Sequence, residues 1–232
     1  MDFLKRHVVV TGGTGALGFA VVEALLREGA EVHVPYLQPT GAERFPFRAD
    51  PCAHLTGPVD LASEADVGRF YADIPSVWSS IHLAGGFAAG GIAETDRAAL
   101  LRQFEMNFVS CYLCCRAAVT AMRAGGGGRI VNVAARPALE PRQGAGMSAY
   151  AASKAAVAAL TEALGEELVK DGILVNAVAP SILDTPANRA AMPKAKHDLW
   201  PKVEEVAKTI VFLASPENRV TRGAVVPVYG RS

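Results

Sequence analysis

The stretch HVVVTGGTGALGFAVVEALLREG, residues 7–29, constrains this chain more than any other part of it. A run of β-branched residues leads into glycines at 12, 13, 15 and 18, and an apolar-periodic segment follows that stops at Gly29. The run reads as a buried strand and the periodic segment as a helix. Gly12 allows the turn off the strand, Gly15 lets the backbone approach a ligand, and Gly18 permits close helix packing. The helix then points its free N–H groups at whatever lies over the turn, which favours a pyrophosphate. In this frame the motif is expected to bind a dinucleotide.

Similar punctuation continues along the chain. EVHVPY, CAHLTGPVDL, SSIHLAGG, RIVNVA, ILVNAVAP and AVVPVYG read as strands. Between them lie helical patterns: SEADVGRFYADI, opened by a capping Ser63, and a long one over TDRAALLRQFEMNFVSCYLCCRAAVTAMRAG with an irregularity expected near Met106–Asn107. SAYAASKAAVAALTEALGEELVKDG and VEEVAKTIVFLAS complete the set. Apolar strands separated by such helices predict a parallel sheet covered on both faces. The expected fold is therefore a single Rossmann-type, doubly wound α/β domain over residues 1–232, with a seven-stranded parallel sheet. With 50% hydrophobic residues, the chain has material for one sizeable core. TPANRAAMPKAKHDLWPK, residues 185–202, is the one insertion long enough to serve as a lid, and an ordinary surface helix is the alternative.

Charge and cysteine usage remove several function classes. Twenty-three basic residues balance 23 acidic ones, so neither nucleic acid nor an anionic membrane is the expected partner. No apolar run reaches the length of a membrane span, the first apolar run is too short for a signal peptide, and the cytosol is the expected compartment. Cys111, Cys114 and Cys115 fall inside the long helical pattern and Cys52 stands apart, which favours reduced structural residues over redox or metal roles. His7, His33, His54, His82 and His197 are scattered without metal spacing, so no metal is expected.

Tyr150 and Lys154 stand four apart on one helical pattern and so share a face. A cationic lysine beside a phenol is expected to lower its pKa and make it a usable proton donor. These pieces together resemble the short-chain dehydrogenase/reductase family over essentially the full length. The matching segments are TGGTGALG, the HLAGG ending strand four, Asn107 in MNFVS, YAASK, and NAVAPSILDTP. The resemblance implies an NAD(P)H-dependent oxidoreductase. It places Gly12, Gly15, Leu17 and Gly18 at the pyrophosphate, Asp60 at the adenine, Ala84 and Gly85 along the adenosine side, and Pro180 and Ile182 at the nicotinamide end. Lys154 would hold the ribose, and Asn107 a water that relays protons to it. Tyr36 stands where a carboxylate would favour NAD; with Arg44 and Arg48 only further on, the choice between NAD and NADP stays open.

Two departures narrow the substrate. His82 and Leu83 replace the asparagines usual before the alanine–glycine pair, and alanine stands where the family carries its catalytic serine at the end of strand five. Ser148 lies too close to Tyr150 to take that role. Within the family the chain is most similar to the dihydropteridine reductase branch, on LAGGFAAGG, AARPALEPRQGAGMSAYAASKAAV and PSILDTPANRAAMPKAKHDLW. That branch also keeps an alanine in place of the serine. The likeness implies a small flat heteroaromatic substrate, a quinonoid dihydropterin, flanked by Phe87 and Tyr150 and covered by Asn188 and Met192, with Arg189 and Trp200 in the same lid. Other conjugated carbonyl or imine-like acceptors, and a catalytically weak cofactor-binding protein, are the alternatives. A homodimer or homotetramer through helices around 100–123 and 148–170 is also implied.

Overall fold

The computed structural model describes all of residues 1–232. Its strands are β1 (His7–Thr11), β2 (Glu31–Pro35), β3 (Ala53–Thr56), β4 (Val77–His82), β5 (Gly128–Val133), β6 (Ile173–Pro180) and β7 (Val225–Val228). They form one sheet in the order β3-β2-β1-β4-β5-β6-β7, with every neighbouring pair parallel. This is the expected Rossmann-type α/β domain. The winding direction reverses between β1 and β4, and such a reversal opens a crevice at the carboxyl ends of the strands.

The strands alternate between two core layers because successive side chains point to opposite faces. Val8 and Val10 of β1 enter one layer and Val9 the other. The first layer is completed by α1 (Ala16–Arg27) and α9 (Val203–Ala214), through residues such as Val21, Leu25, Val206 and Ile210. The second is completed by α3 (Glu64–Ala72), α5 (Ser110–Gly125) and α7 (Ser148–Glu167), through Val67, Phe70, Met122 and Val157. Each fully buried valine contributes about 1.5–3 kcal/mol relative to exposure, so both faces of the sheet hold their helices firmly.

Local signals account for the helix ends. Ser63 Oγ accepts the Asp66 N–H at 3.3 Å and opens α3. Asp96 Oδ1 accepts the Ala99 N–H at 2.7 Å and opens α4 (Arg97–Phe104). Between α4 and α5 lies one π-helical turn, Glu105–Val109, at the expected irregularity. Gly126, at φ +82°, ends α5. The helix expected to reach residue 170 stops at Glu167 and tightens into a 3-10 turn over Val169–Asp171. The Pro/Gly-broken stretch after β2 contains a short helix α2 (Pro39–Glu43), and the β5–α7 connection holds α6 (Arg136–Leu139). Residues 185–202 contain α8 (Pro186–Ala191) and a 3-10 turn at His197–Leu199. No helix is long and apolar enough to cross a membrane.

Candidate active site

The glycine-rich turn sits at the mouth of the crevice. Gly12 has φ +68°, and a methyl group there would lie 2.6 Å from the Ala84 backbone nitrogen, so only glycine lets the turn press against the end of β4. A side chain at Gly18 would meet the Gly12 carbonyl. Gly15 faces open space apart from the Gly12 oxygen, and it precedes α1 without any side-chain cap. The first turn of α1 therefore offers backbone N–H groups to an anion, while Leu17 packs inward against the core. Thr11 ties the turn to β4, its carbonyl accepting the Leu83 N–H at 3.1 Å and its Oγ1 the Ala84 N–H at 3.3 Å. This cradle suits a dinucleotide pyrophosphate.

On the adenosine side, Tyr36 follows β2, and its ring lies so close to Gly57 that no side chain fits there. A methyl group at Gly41 would lie 3.1 Å from Thr14 Oγ1, so α2 runs close beside the glycine turn. Asp60 is exposed, and its Oδ1 accepts the Ala62 N–H at 2.9 Å. At the other end, Pro180 is buried at the close of β6, and Ile182 stands 42% exposed just beyond it.

Tyr150 and Lys154 lie on successive turns of α7. Lys154 is buried, and its Nζ donates to the Val133 carbonyl at 2.7 Å. Burial pulls its pKa down to about 8, with the nearby Cys111 working the other way. Burial pushes the Tyr150 phenol up to about 12. The expected lowering by Lys154 is thus not what this geometry produces: desolvation dominates, and the ammonium is drawn to a carbonyl. The phenol consequently keeps its proton near neutral pH.

Asn107, in the π-helical turn, clamps the loop after β4. Its Oδ1 accepts the Gly86 N–H at 2.9 Å, and its Nδ2 donates to the Gly86 carbonyl at 3.0 Å and to Ser153 Oγ at 3.1 Å. Ser153 in turn donates to the Tyr150 carbonyl at 2.8 Å. Gly85 passes between these groups; a methyl there would lie 2.6 Å from Asn107 Oδ1 and 3.4 Å from Lys154 Nζ. The Phe87 ring stands edge-on to Tyr150, centroids 5.0 Å apart and planes at 84°. Gly90 N–H donates to the Gly146 carbonyl at 2.9 Å, joining the two loops that flank the phenol. Ala134 and Ala135, at the end of β5, are both buried. Ser148 begins α7 and is exposed.

The lid residues divide differently from their expected grouping. Asn188 donates its side-chain N–H to the Leu183 carbonyl at 2.8 Å, and its backbone N–H to the Thr185 Oγ1 cap at 3.2 Å. Arg189 forms a forked pair with Asp184. Trp200 is buried against the His197 ring. These three side chains hold the segment's own shape, and Met192 is half-buried at the end of α8. Sequence reasoning missed Ser153 and the Val133 carbonyl; Ser153 was within reach, directly before Lys154 in YAASK.

Comparison with known proteins agrees with this fold. A family model described as Enoyl-(Acyl carrier protein) reductase matches residues 13–230. The chain is 32% identical to cis-4-hydroxycyclohexanecarboxylate dehydrogenase of Sinomonas cyclohexanicum, covering 98% of this chain and 96% of the relative. It is 33% identical to sorbitol dehydrogenase of Cereibacter sphaeroides over 77% of this chain and 71% of the relative. A solved short-chain type dehydrogenase/reductase from Mycobacterium ulcerans superimposes with a TM-score of 0.90 at 25% identity, covering 99% of this chain and 90% of that one. The chain belongs to the short-chain dehydrogenase/reductase family, as an NAD(P)H-dependent oxidoreductase of a small organic substrate.

Proposed function

We propose that the protein reduces a small acceptor whose carbonyl or imine-like group belongs to a conjugated system, with Tyr150 as proton donor. The observation that carries this reading is the pair of buried alanines, Ala134 and Ala135, beside an otherwise complete Tyr150, Lys154 and Asn107 set. An isolated ketone gathers negative charge on one oxygen during reduction, and a second hydroxyl donor there lowers the barrier. A conjugated acceptor spreads that charge over its own ring and needs the extra donor less.

The reduced nicotinamide, when bound, supplies the hydride. The glycine turn and the N-terminus of α1 would hold the pyrophosphate, and the buried Lys154 ammonium would exchange the Val133 carbonyl for a ribose hydroxyl. Tyr150 gives its proton to the acceptor as hydride arrives, and solvent restores it. Phe87, 61% exposed and edge-on to the phenol, offers an aromatic surface to a flat ring. A quinonoid dihydropterin is the specific acceptor suggested by the LAGGFAAGG and PSILDTPANRAAMPKAKHDLW segments. The relatives named above carry other substrate names, so the dihydropterin is proposed only as one member of the conjugated class, which rests on the buried alanines. Homodimer or homotetramer assembly through α5 and α7 belongs to the same proposal, supported by Leu101 and Tyr112, exposed on the α4–α5 surface.

The test follows oxidation of NADH and NADPH with three acceptors: chemically generated quinonoid dihydropterin, a conjugated diketone and a simple unconjugated ketone. Turnover of a conjugated acceptor well above the simple ketone supports the reading. Equal or greater turnover of the simple ketone, or no turnover with any acceptor, overturns it.

A further inference from the structure

A second cluster lies behind the active site, in the core between the sheet and α5. His82 from β4, Asn132 from β5, and Cys111 and Cys115 from α5 are each at most 5% exposed. Asn132 Oδ1 lies 2.8 Å from His82 Nδ1, 3.3 Å from Cys111 Sγ and 3.5 Å from Cys115 Sγ, and Cys115 Sγ lies 3.5 Å from His82 Nδ1. The ligand atoms of His82, Cys111 and Cys115 all fall within 4.8 Å of one another. The sequence disperses these groups; the parallel pairing of β4 with β5 and the i, i+4 spacing on α5 bring them together.

We propose that His82, Cys111, Cys115 and Asn132 form a structural Zn²⁺ site. Tetrahedral zinc, with sulfur, nitrogen and oxygen ligands at their usual distances, has ligand–ligand edges of about 3.4–3.8 Å. Three of the four separations quoted above already fall within about 0.1 Å of that range, the His82–Asn132 contact must open by about half an ångström, and the widest pair among His82, Cys111 and Cys115, which spans up to 4.8 Å, must close by up to about 1 Å. Outer partners already orient two ligands. Ser80 Oγ lies 2.8 Å from His82 Nε2, which leaves Nδ1 to face the cluster once Nε2 carries the proton. Thr161 Oγ1 accepts the Asn132 Nδ2–H at 3.0 Å, aiming Oδ1 inward.

Charge also balances. Zinc binding converts both thiols to thiolates and releases two protons to solvent, with no change in oxidation state. Two thiolates neutralise the dication, and a neutral assembly is what a buried site tolerates. Four protein ligands would close the coordination sphere, which fits a structural role. Cys114 faces Tyr71 instead, and Cys52 lies half-buried outside the cluster, so both serve as controls.

The test uses the full chain, expressed with zinc in the medium, dialysed against EDTA and measured by plasma mass spectrometry. About one zinc per chain is expected in the parent, Cys52→Ser and Cys114→Ser, and about a tenth or less in Cys111→Ser and Cys115→Ser. Should those two variants fail to fold, the parent is unfolded, stripped and refolded with Co²⁺, where thiolate-to-cobalt charge-transfer absorption is expected. A parent protein without stoichiometric zinc overturns the proposal, as does zinc retained in both cluster variants. Copper in place of zinc overturns the metal assignment.

Discussion

Gly85→Ala tests whether the site depends on close packing between the loop after β4 and the Asn107–Lys154 pair. The added methyl would lie 2.6 Å from Asn107 Oδ1, closer than such contacts allow, so Asn107 must leave its two hydrogen bonds to Gly86. Leaving buried amide groups unpaired costs about 1–3 kcal/mol. For a chain of this size each kcal/mol lowers Tm by about 2–4 °C, so a fall of about 2–12 °C is expected in a thermal melt. Cofactor affinity, read by nicotinamide fluorescence, should weaken as well, because the same methyl lies 3.4 Å from Lys154 Nζ. Gly68→Ala is the matched control: it lies in α3, and a methyl there meets nothing within 4 Å. In a helix that change stabilises by about 0.4–1 kcal/mol. If the two variants melt together and bind cofactor equally, the clamp has been misread.

Two pH dependences follow from buried groups. Burial, and then the positive fields of His54 and His7, lower His33 from 6.5 to about 4. The unfolded chain therefore takes the proton first, so this stabilisation is complete above pH 6.5 and is lost as pH falls toward 4. Melting curves across that interval should show Tm falling with acidification, and His33→Asn should flatten the slope; an unchanged slope would assign the loss to other groups. Lys154 loses its proton as pH rises through about 8. If its ammonium holds the cofactor ribose, fluorescence titrations should show affinity weakening across that pH. A flat profile would contradict the role.

Local features were the most legible in the sequence. The glycine turn, the Ser63 cap and the irregularity beside Asn107 each rest on a few consecutive residues, and each forms where its chemistry requires. The parallel sheet followed from the alternation of apolar strands with helices. Long-range consequences were harder to read. Spacing puts Lys154 on the same face as Tyr150, yet the direction of the phenol's shift depends on burial, which the i, i+4 pattern does not encode. The cysteines in CYLCC looked isolated because their partners, His82 and Asn132, come from separate strands. Asn188 and Trp200 fall in the lid segment that the resemblance implies, and what spacing does not encode is that the Asn188 amide N–H is taken by the Leu183 carbonyl and that Trp200 is buried.

Tyr150→Phe, assayed with the best conjugated acceptor and reduced nicotinamide, tests the central claim most directly. The phenol is the one proton donor assigned to the acceptor, so kcat should fall by about 10²–10⁴. Cofactor affinity should stay within about twofold, because Tyr150 holds neither pyrophosphate nor ribose in this account. An unchanged kcat would contradict it, since the acceptor would then be drawing its proton from another source.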